Sequence, residues 1–526
     1  MLLLCPSAYR RASWLLLALT IAGLLPLLMA IDRTPIPWTD EVLWASTSMS
    51  LMQGHSALPA ILGAFPETGR FDLFYGPVGF RLGSIWMRYM GVSATSWRML
   101  SFLGGLLTVV LGGLLIIGLG GSWELAAIAM FLIGLSPSIG QRINSGRLDT
   151  VTAALELGAL LSFILGMRRN TPYTVLSWVA GGLALAMAVL STPRALPFCM
   201  AVAFATIVLL IVSWRKPIAI GFALSAAVVL AVTSAWTYSQ GLNPLSWLNY
   251  IRTVSHGDTG NVSPLLGGAW NAGYAVYPPE LLTPIVIVIT ASALLWYWIK
   301  TRETSRDPSP YSEQIVFVVV AGGINALLNF ALLSRALDYE IFYVFPVLIA
   351  LIILSMRLAQ VAGYVGAKRV VAISLAVLAV GSLGIRSMKL LEVYQSWSAR
   401  NPETISSFVK TNVPVNATVF GEDACYFWAV HEAGSKYLWI EERTTPGLAS
   451  HSVSVRDQLL HSSASEPIYL LWRSGSTLPA ALASGNLRLV ASFEAPVAAG
   501  PLFGRVRHWI GWGYPNSDLY LVESSR

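Results

Sequence analysis

Almost wholly apolar stretches of about 17–22 residues recur along this chain, and a water-soluble fold has no use for so many of them. A helix rises 1.5 Å per residue, so roughly 20 residues cross a hydrocarbon core of ~30 Å. Inside that core every backbone N–H and C=O must be satisfied within the segment, which makes each stretch a helix. Eleven segments are read this way: 12–31, 99–119, 123–138, 150–167, 174–190, 196–213, 217–236, 281–299, 314–333, 341–357 and 370–387. Composition agrees. The chain is 55% hydrophobic and 12% charged, where a soluble domain carries roughly 25% charged residues. Many of its 19 Trp and 19 Tyr flank the apolar blocks, as interfacial anchors do. The expected fold class is an α-helical polytopic membrane protein of about 11 spans, with a C-terminal soluble α/β or α+β domain.

The net charge of +7 comes without any dense Lys/Arg run. Its cations sit in short loops between apolar blocks, so the partner they imply is the lipid bilayer, and no nucleic acid is expected. With the N-terminus inside, the inside loops hold Arg168, Arg169, Arg215, Lys216, Lys300, Arg302, Arg306, Arg357, Lys368 and Arg369. The short outside loops hold fewer, chiefly Arg142, Arg147, Arg194 and Arg335. That bias gives an N-in, C-out topology for an odd span count. Arg10 and Arg11 precede the first apolar stretch. It is long for a signal-peptide core and no small-x-small site follows, so it is read as a retained helix. Cys5, Cys199 and Cys425 are far apart and form no CxxC, so neither a zinc site nor a disulfide framework is expected.

Two domains are expected: a transmembrane domain over 1–387 with long outer loops at 32–98 and 238–280, and an extracytoplasmic domain over 388–526. Within the first loop, 41–53 and 79–90 mix apolar and polar residues without reaching spanning length, the pattern of helices lying along the membrane interface. The second contains HGDTGN and GGAWNAGY and reads as a mobile loop. In the tail, 402–410 reads as a helix start, and 417–420, 437–440, 467–472 and 487–493 as strands. Neither a Gly-rich phosphate loop nor an internal repeat is present in the sequence.

The residues able to carry chemistry gather at the outside ends of the spans. Asp40 and Glu41 follow the first helix. Paired carboxylates there are candidates to take a proton from an attacking hydroxyl or to hold a divalent metal ion. The same pair also suits the acidic first turn of a helix capped by Thr39. In RINSGRLD, Arg147 and Asp149 either pair or present the arginine fork to a phosphate. Arg194 in STPRALP and Arg335 in LSRALDYE stand on the same side, and together these cations favour an anionic ligand. Glu156 lies within the fourth segment, where an acid is costly and either faces a polar cavity or a partner or is neutral and packed against another helix.

In this layout the chain resembles the GT-C superfamily of membrane glycosyltransferases, especially the protein mannosyltransferase and aminoarabinose transferase branch. Asp40-Glu41 matches the Asp-Glu pair that follows the first helix in those proteins. FYGPVGF at 74–80, with Tyr75, resembles their aromatic-proline segment. Arg147-Leu148-Asp149 matches an Arg-x-Asp that opens the fourth span. Ser191-Thr192-Pro193-Arg194 resembles a turn that carries Lys in the family, and Tyr343 to Pro346 fits a late Tyr-x-x-Pro. The likeness covers about residues 10–360 and, in layout, extends to the tail. The chain departs from the pattern in two places. Arg70 is the nearest basic residue where a Lys or His precedes the aromatic-proline segment, and Phe342 stands where an Arg is common.

The resemblance implies a sugar carried on a polyprenyl phosphate and transferred to a glycan, lipid or protein acceptor outside the cytoplasmic (inner) membrane. Asp40 would be the base and Glu41 its support, both tentative metal ligands. Arg147, Arg194 and Arg335 would hold the donor phosphate, with Asp149, Tyr75 and Tyr343 supporting. Two other classes fit parts of the sequence. A lipid-linked polysaccharide polymerase or ligase would place an essential basic loop at 238–280, with Arg252 and His256. A transporter would use Glu156, Asn325 and Asn329 near the midplane. The Lys/Arg bias yields a direct test. A reporter fused after Arg526 is expected to be active outside the cytoplasm, and one inserted in the 300–314 loop to be inactive; a cytoplasmic C-terminus would show that the odd span count is wrong.

Overall fold

A computed structural model describes residues 6–55, 57, 73, 75–168, 174–257, 312–332, 340–362, 365–439, 467–478, 486–504 and 513–523. Helices occupy ten of the eleven expected segments: α1 (Pro6–Met29), α4 (Ala94–Gly118), α5 (Trp123–Leu135), α7 (Asp149–Met167), α8 (Thr174–Val189), α9 (Leu196–Val212), α10 (Lys216–Ser239), α12 (Ser312–Leu332), α13 (Val344–Ala362) and α14 (Val365–Gln395). The segment 281–299 lies outside the described residues. Among the described residues, five helical stretches are long and apolar enough to cross a bilayer: Ala94–Gly118, Asp149–Met167, Pro193–Val212, Lys216–Ser239 and Ala372–Gln395. Five more apolar helices are shorter. One has an obvious cause. α5 stops at Leu135 because Ser136 turns extended before Pro137, which cannot continue a helix; the Ser136 hydroxyl then caps the six-residue α6 (Pro137–Arg142).

Close helix approach in the bundle rests on small residues facing large rings. A Cβ on Gly181 would strike Phe163 and one on Gly221 would strike Trp178. Phe163, Trp178, Phe222 and Phe317 form a cluster with centroids 4.7–6.0 Å apart, joining α7, α8, α10 and α12. The last span is tied to the first by a buried cation. Arg386 of α14 donates to the carbonyls of Gly23 (3.1 Å), Gly134 (2.7 Å) and Ser136 (3.4 Å).

Two short helices lie between the first spans, α2 (Thr39–Met52) and α3 (Pro77–Met90). Both were expected along the interface, and only α3 has that character. It buries Phe80, Gly83 and Met87 and exposes Ile85, Tyr89 and Met90. α2 is enclosed instead, with Glu41, Val42, Trp44, Ala45, Ser46, Thr47, Ser48, Met49 and Ser50 all buried. Its hydroxyls survive burial because they bond back along the helix: Ser46 and Thr47 to Leu43, Ser48 to Trp44. Part of the second long loop is α11 (Pro244–Gly257), which includes Arg252 and His256. The whole of 238–280 was expected to be a mobile loop, and this helix corrects that expectation over 244–257; residues 258–280 lie outside the described residues.

Beyond Gln395 the chain makes a turn, the helix α15 (Pro402–Asn412) and a five-stranded sheet. The strands are β1 (Thr418–Gly421), β2 (Lys436–Trp439), β3 (Ile468–Arg473), β4 (Asn486–Phe493) and β5 (Ser517–Glu523), in the order β2-β1-β3-β5-β4. β1 pairs in parallel with β2 and β3; β5 runs antiparallel to β3 and β4. The four expected strands are present, and β5 is an addition. The 3-10 turn Ala424–Tyr426 and the short α16 (Phe427–Glu432) carry the chain from β1 to β2, making this end a βαβ unit.

One hydrophobic cluster unites Val42, Trp44, Phe80, Trp97 and Leu148 with Ile405, Tyr426, Phe427, Trp428 and Tyr514. The C-terminal domain therefore packs on α2 and α3, which explains the enclosure of α2. Gly83 is a closely packed position of this layer. A Cβ there would fall 2.7 Å from Ser48 Oγ and collide with the Trp97 ring, and both side chains are fully buried. Gly83→Ala is expected to lower stability by about 1–3 kcal/mol, read as a drop in Tm of the purified protein in detergent.

Candidate active site

The two acids of α2 diverge, because consecutive helical residues point about 100° apart. Glu41 turns inward. Arg98, the fifth residue of α4, donates Nε to Glu41 Oε1 (2.8 Å) and Nη2 to Oε2 (2.7 Å), and both side chains are 0% exposed. Its remaining Nη1 reaches the Ile31 carbonyl (2.9 Å), so one guanidinium ties the end of the first helix to the start of α2. Burial raises the Glu41 carboxyl above its ordinary range and Arg98 opposes the rise; Trp428 of the C-terminal domain stands beside the same carboxyl.

Asp40 turns the other way and keeps 31% of its side chain exposed. Its Oδ2 accepts from Arg147 Nη1 at 2.9 Å across 107 residues of sequence. The same guanidinium sets Nε 3.2 Å from Asp149 Oδ2, with Arg147 and Asp149 each 1% exposed. Arg142 Nε stands 4.0 Å from that oxygen. The Arg147 loop is fixed by its own backbone. Trp38 donates its indole N–H to the Ser145 carbonyl (2.8 Å), Trp97 to Gly146 (2.7 Å), and the Ser101 hydroxyl to Arg147 (2.7 Å). Gly146 has φ +67°, and a Cβ there would lie 2.5 Å from Glu41 Cγ. Only glycine both adopts that turn and leaves room for the acid.

Arg194 follows the end of α8 in the 3-10 turn Pro193–Ala195, with Thr192 Oγ1 accepting its backbone N–H. Its guanidinium carbon lies 5.9 Å from the Tyr75 ring centroid, and Tyr75 lies 4.9 Å from Trp44. Trp44 is one turn beyond Asp40 on the same face of α2. Gly76 makes this meeting possible. It has φ +79° and abuts Leu190, whose carbonyl accepts from Val78 N (3.1 Å). Tyr343 is buried just after the 3-10 turn Glu340–Phe342, which packs on α6 and α7, the helices flanking the Arg147 loop. Arg335 lies outside the described residues. Glu156 is buried on α7, two turns from Asp149 and about 10 Å deeper along the helix.

Asp40, Arg147 and Asp149 are thus brought together, with Tyr75 and Arg194 adjoining through Trp44. The sequence reading missed Arg98 and gave Arg142 no place beside Asp149. Arg98 begins the second apolar stretch and looks like an ordinary span-end cation. The available clue was that an acid facing inward from α2 needs a cation at the same depth. A divalent metal fits this donor set poorly. Both Glu41 oxygens are engaged by Arg98 and one Asp40 oxygen by Arg147, so a cation would meet two guanidiniums and little free carboxylate. No group of three or more His, Cys, Asp or Glu suited to a metal occurs among the described residues.

No protein-family model matches the chain, and no curated protein sequence matches it significantly. Solved structures do. The aminoarabinose transferase ArnT from Cupriavidus metallidurans bound to undecaprenyl phosphate aligns with a TM-score of 0.61 over 97% of this chain and 98% of its own, at 14% identity. The same protein in the apo state gives 0.56 at 14% identity, over 96% of this chain and 97% of its own. An Archaeoglobus fulgidus oligosaccharyltransferase gives 0.48 at 12% identity, over 86% of this chain and 69% of its own. These neighbours are GT-C membrane glycosyltransferases. At this identity, the alignment with ArnT establishes a shared fold.

The two acids should respond differently to loss of charge. Glu41→Gln strands the Arg98 cation in a fully buried site and is expected to cost about 3–5 kcal/mol, seen as loss of monodisperse protein on size exclusion. Asp40→Asn, at a half-exposed position, is expected to fold with near-normal yield. Equal losses for both would contradict the division of roles.

Proposed function

We propose that this protein is a membrane glycosyltransferase that moves a sugar from a polyprenyl-phosphate donor to an acceptor hydroxyl at the outer face of the cytoplasmic membrane. The observation that carries this reading is the partly exposed Asp40 carboxylate, held by a buried arginine at the end of the bundle, in a chain with the fold of a lipid-phosphate-binding transferase. The lipid donor accounts for the position of the group at the end of apolar helices, where a headgroup lies with its chain still in the bilayer.

In the proposed reaction the acceptor oxygen attacks the anomeric carbon while Asp40 takes its proton. The bond between the anomeric carbon and the phosphate oxygen breaks, and the electron pair leaves with the lipid phosphate. Arg147 is already shared between Asp40 and Asp149, so its first task is to orient the base. Arg194, whose guanidinium lies 5.9 Å from the Tyr75 ring centroid, is assigned to the developing phosphate charge. Arg142 and Arg335 are further cations for the same headgroup. Glu41 acts through Arg98 to fix the helix on which Asp40 rides, and no step is routed through a metal.

The test is turnover of a labelled polyprenyl-phosphate sugar by purified protein in lipid nanodiscs, with release of lipid phosphate as the readout. Asp40→Asn is expected to lower kcat by about 10²–10⁴-fold with donor KM little changed. Arg194→Ala, losing a charge-assisted bond, is expected to raise donor KM about tenfold or more. Near-normal turnover in Asp40→Asn would remove it as the base. Movement of substrate without bond cleavage would point to transport instead.

A further inference from the structure

The C-terminal domain carries nine consecutive residues without a polar side chain, Ala-Pro-Val-Ala-Ala-Gly-Pro-Leu-Phe at 495–503, between β4 and the last strand. Most of this segment is uncovered: Val497 is 93% exposed and Leu502 55%, and the stretch neither joins the sheet nor forms a helix. A soluble domain this small has no reason to spend two prolines and the exposed Val497 and Leu502 on one water-facing loop.

The fold fixes where the loop lies. β4 runs in the same direction as β1 and β3, so the segment leaves the sheet from the pole at which those strands end. That pole faces the membrane helices. Tyr514, just before β5, donates its N–H to the Ala399 carbonyl (3.0 Å), and Trp428 stands beside Glu41 of α2. The loop itself is pinned, since the Phe503 N–H donates to Glu392 Oε1. Glu392 is fully buried in α14, one turn before that helix ends at Gln395. It sits between Lys389 and the aromatic pair Tyr394 and Trp397, and Tyr394 is 78% exposed. A lysine followed within two turns by exposed aromatics marks where a span leaves the hydrocarbon for the headgroups. The exposed aliphatics Ile373, Val377, Val380, Leu383 and Leu391 lead up α14 to that level.

We propose that residues 495–503 form a membrane-inserted loop, seated in the interfacial layer of the bilayer beside the last span. Its partner is the lipid surface. The prolines and glycine keep it from pairing as a strand, and Val497, Leu502 and Phe503 supply the apolar contact. The domain is then held at two points, by its chain connection at Gln395 and by this loop. The inference rests on the membrane placement of α14 alone and stands whatever reaction the protein catalyses.

The test uses full-length protein in phospholipid nanodiscs. Leu502→Cys, in a Cys5→Ser background, is labelled with an environment-sensitive fluorophore, with the Cys5→Ser protein giving the background from Cys199 and Cys425. Val415→Cys serves as the aqueous control, because Val415 is 68% exposed and adjoins the opposite pole of the sheet. Nitroxide on the acyl chain is expected to quench the Leu502 probe severalfold more than the Val415 probe, and iodide to do the reverse. Iodide quenching of both probes alike would overturn the proposal. A second measurement needs no substitution. Photoactivatable phospholipid should form adducts in the tryptic peptide 489–505, and adducts on α14 peptides with none there would refute the insertion.

Discussion

The arrangement depends on one buried ion pair. Arg98 and Glu41 meet through two parallel bonds with neither side chain exposed, and the third arm of the guanidinium holds the Ile31 carbonyl. Without that cation, α2 would carry an uncompensated carboxylate into a layer sealed by Trp44, Trp97 and Trp428, at a cost of several kcal/mol. With it, the first turn of α2 is fixed in rotation, and the neighbouring residue has only one direction to point. Asp40 reaches Arg147 because Glu41 reaches Arg98.

The C-terminal domain belongs to the same construction. Its aromatic pole closes over α2, so the polar hydroxyls of that helix satisfy themselves internally and the Glu41 pair is shut away from water. The low dielectric that results strengthens both ion pairs and makes either costly to leave half made. The tail is therefore part of the environment that sets the charges of the site.

Much of this was legible in the residues, and the illegible part has physical reasons. Helical spans announce themselves because the bilayer demands a long apolar run, and Asp40, Arg147, Asp149 and Arg194 could be grouped because insertion places span ends at one depth. Which of two adjacent acids faces inward could not be read, since 100° of helical rotation separates them and the deciding partner, Arg98, resembles any cation at the end of a span. Enclosure of α2 was missed for a related reason: its Ser-Thr-Ser run looks solvated until the covering domain is known. The last strand, SDLYLVE, escaped notice because a mixed strand buried by partners distant in sequence has little periodicity of its own.

Arg386 has a consequence for how the protein is made. Its three acceptors are carbonyls of the first helix and of the α5–α6 corner, all synthesised some 250 residues or more before it. An arginine entering a bilayer alone costs about 2.5–3.5 kcal/mol or more. The last span is therefore poorly suited to partition on its own as it leaves the ribosome. Its carbonyl partners precede it in the chain, and the C-terminal domain that packs on α2 follows it. The polar layer around Asp40 is thus covered by chain that follows the arginine-bearing span in the sequence.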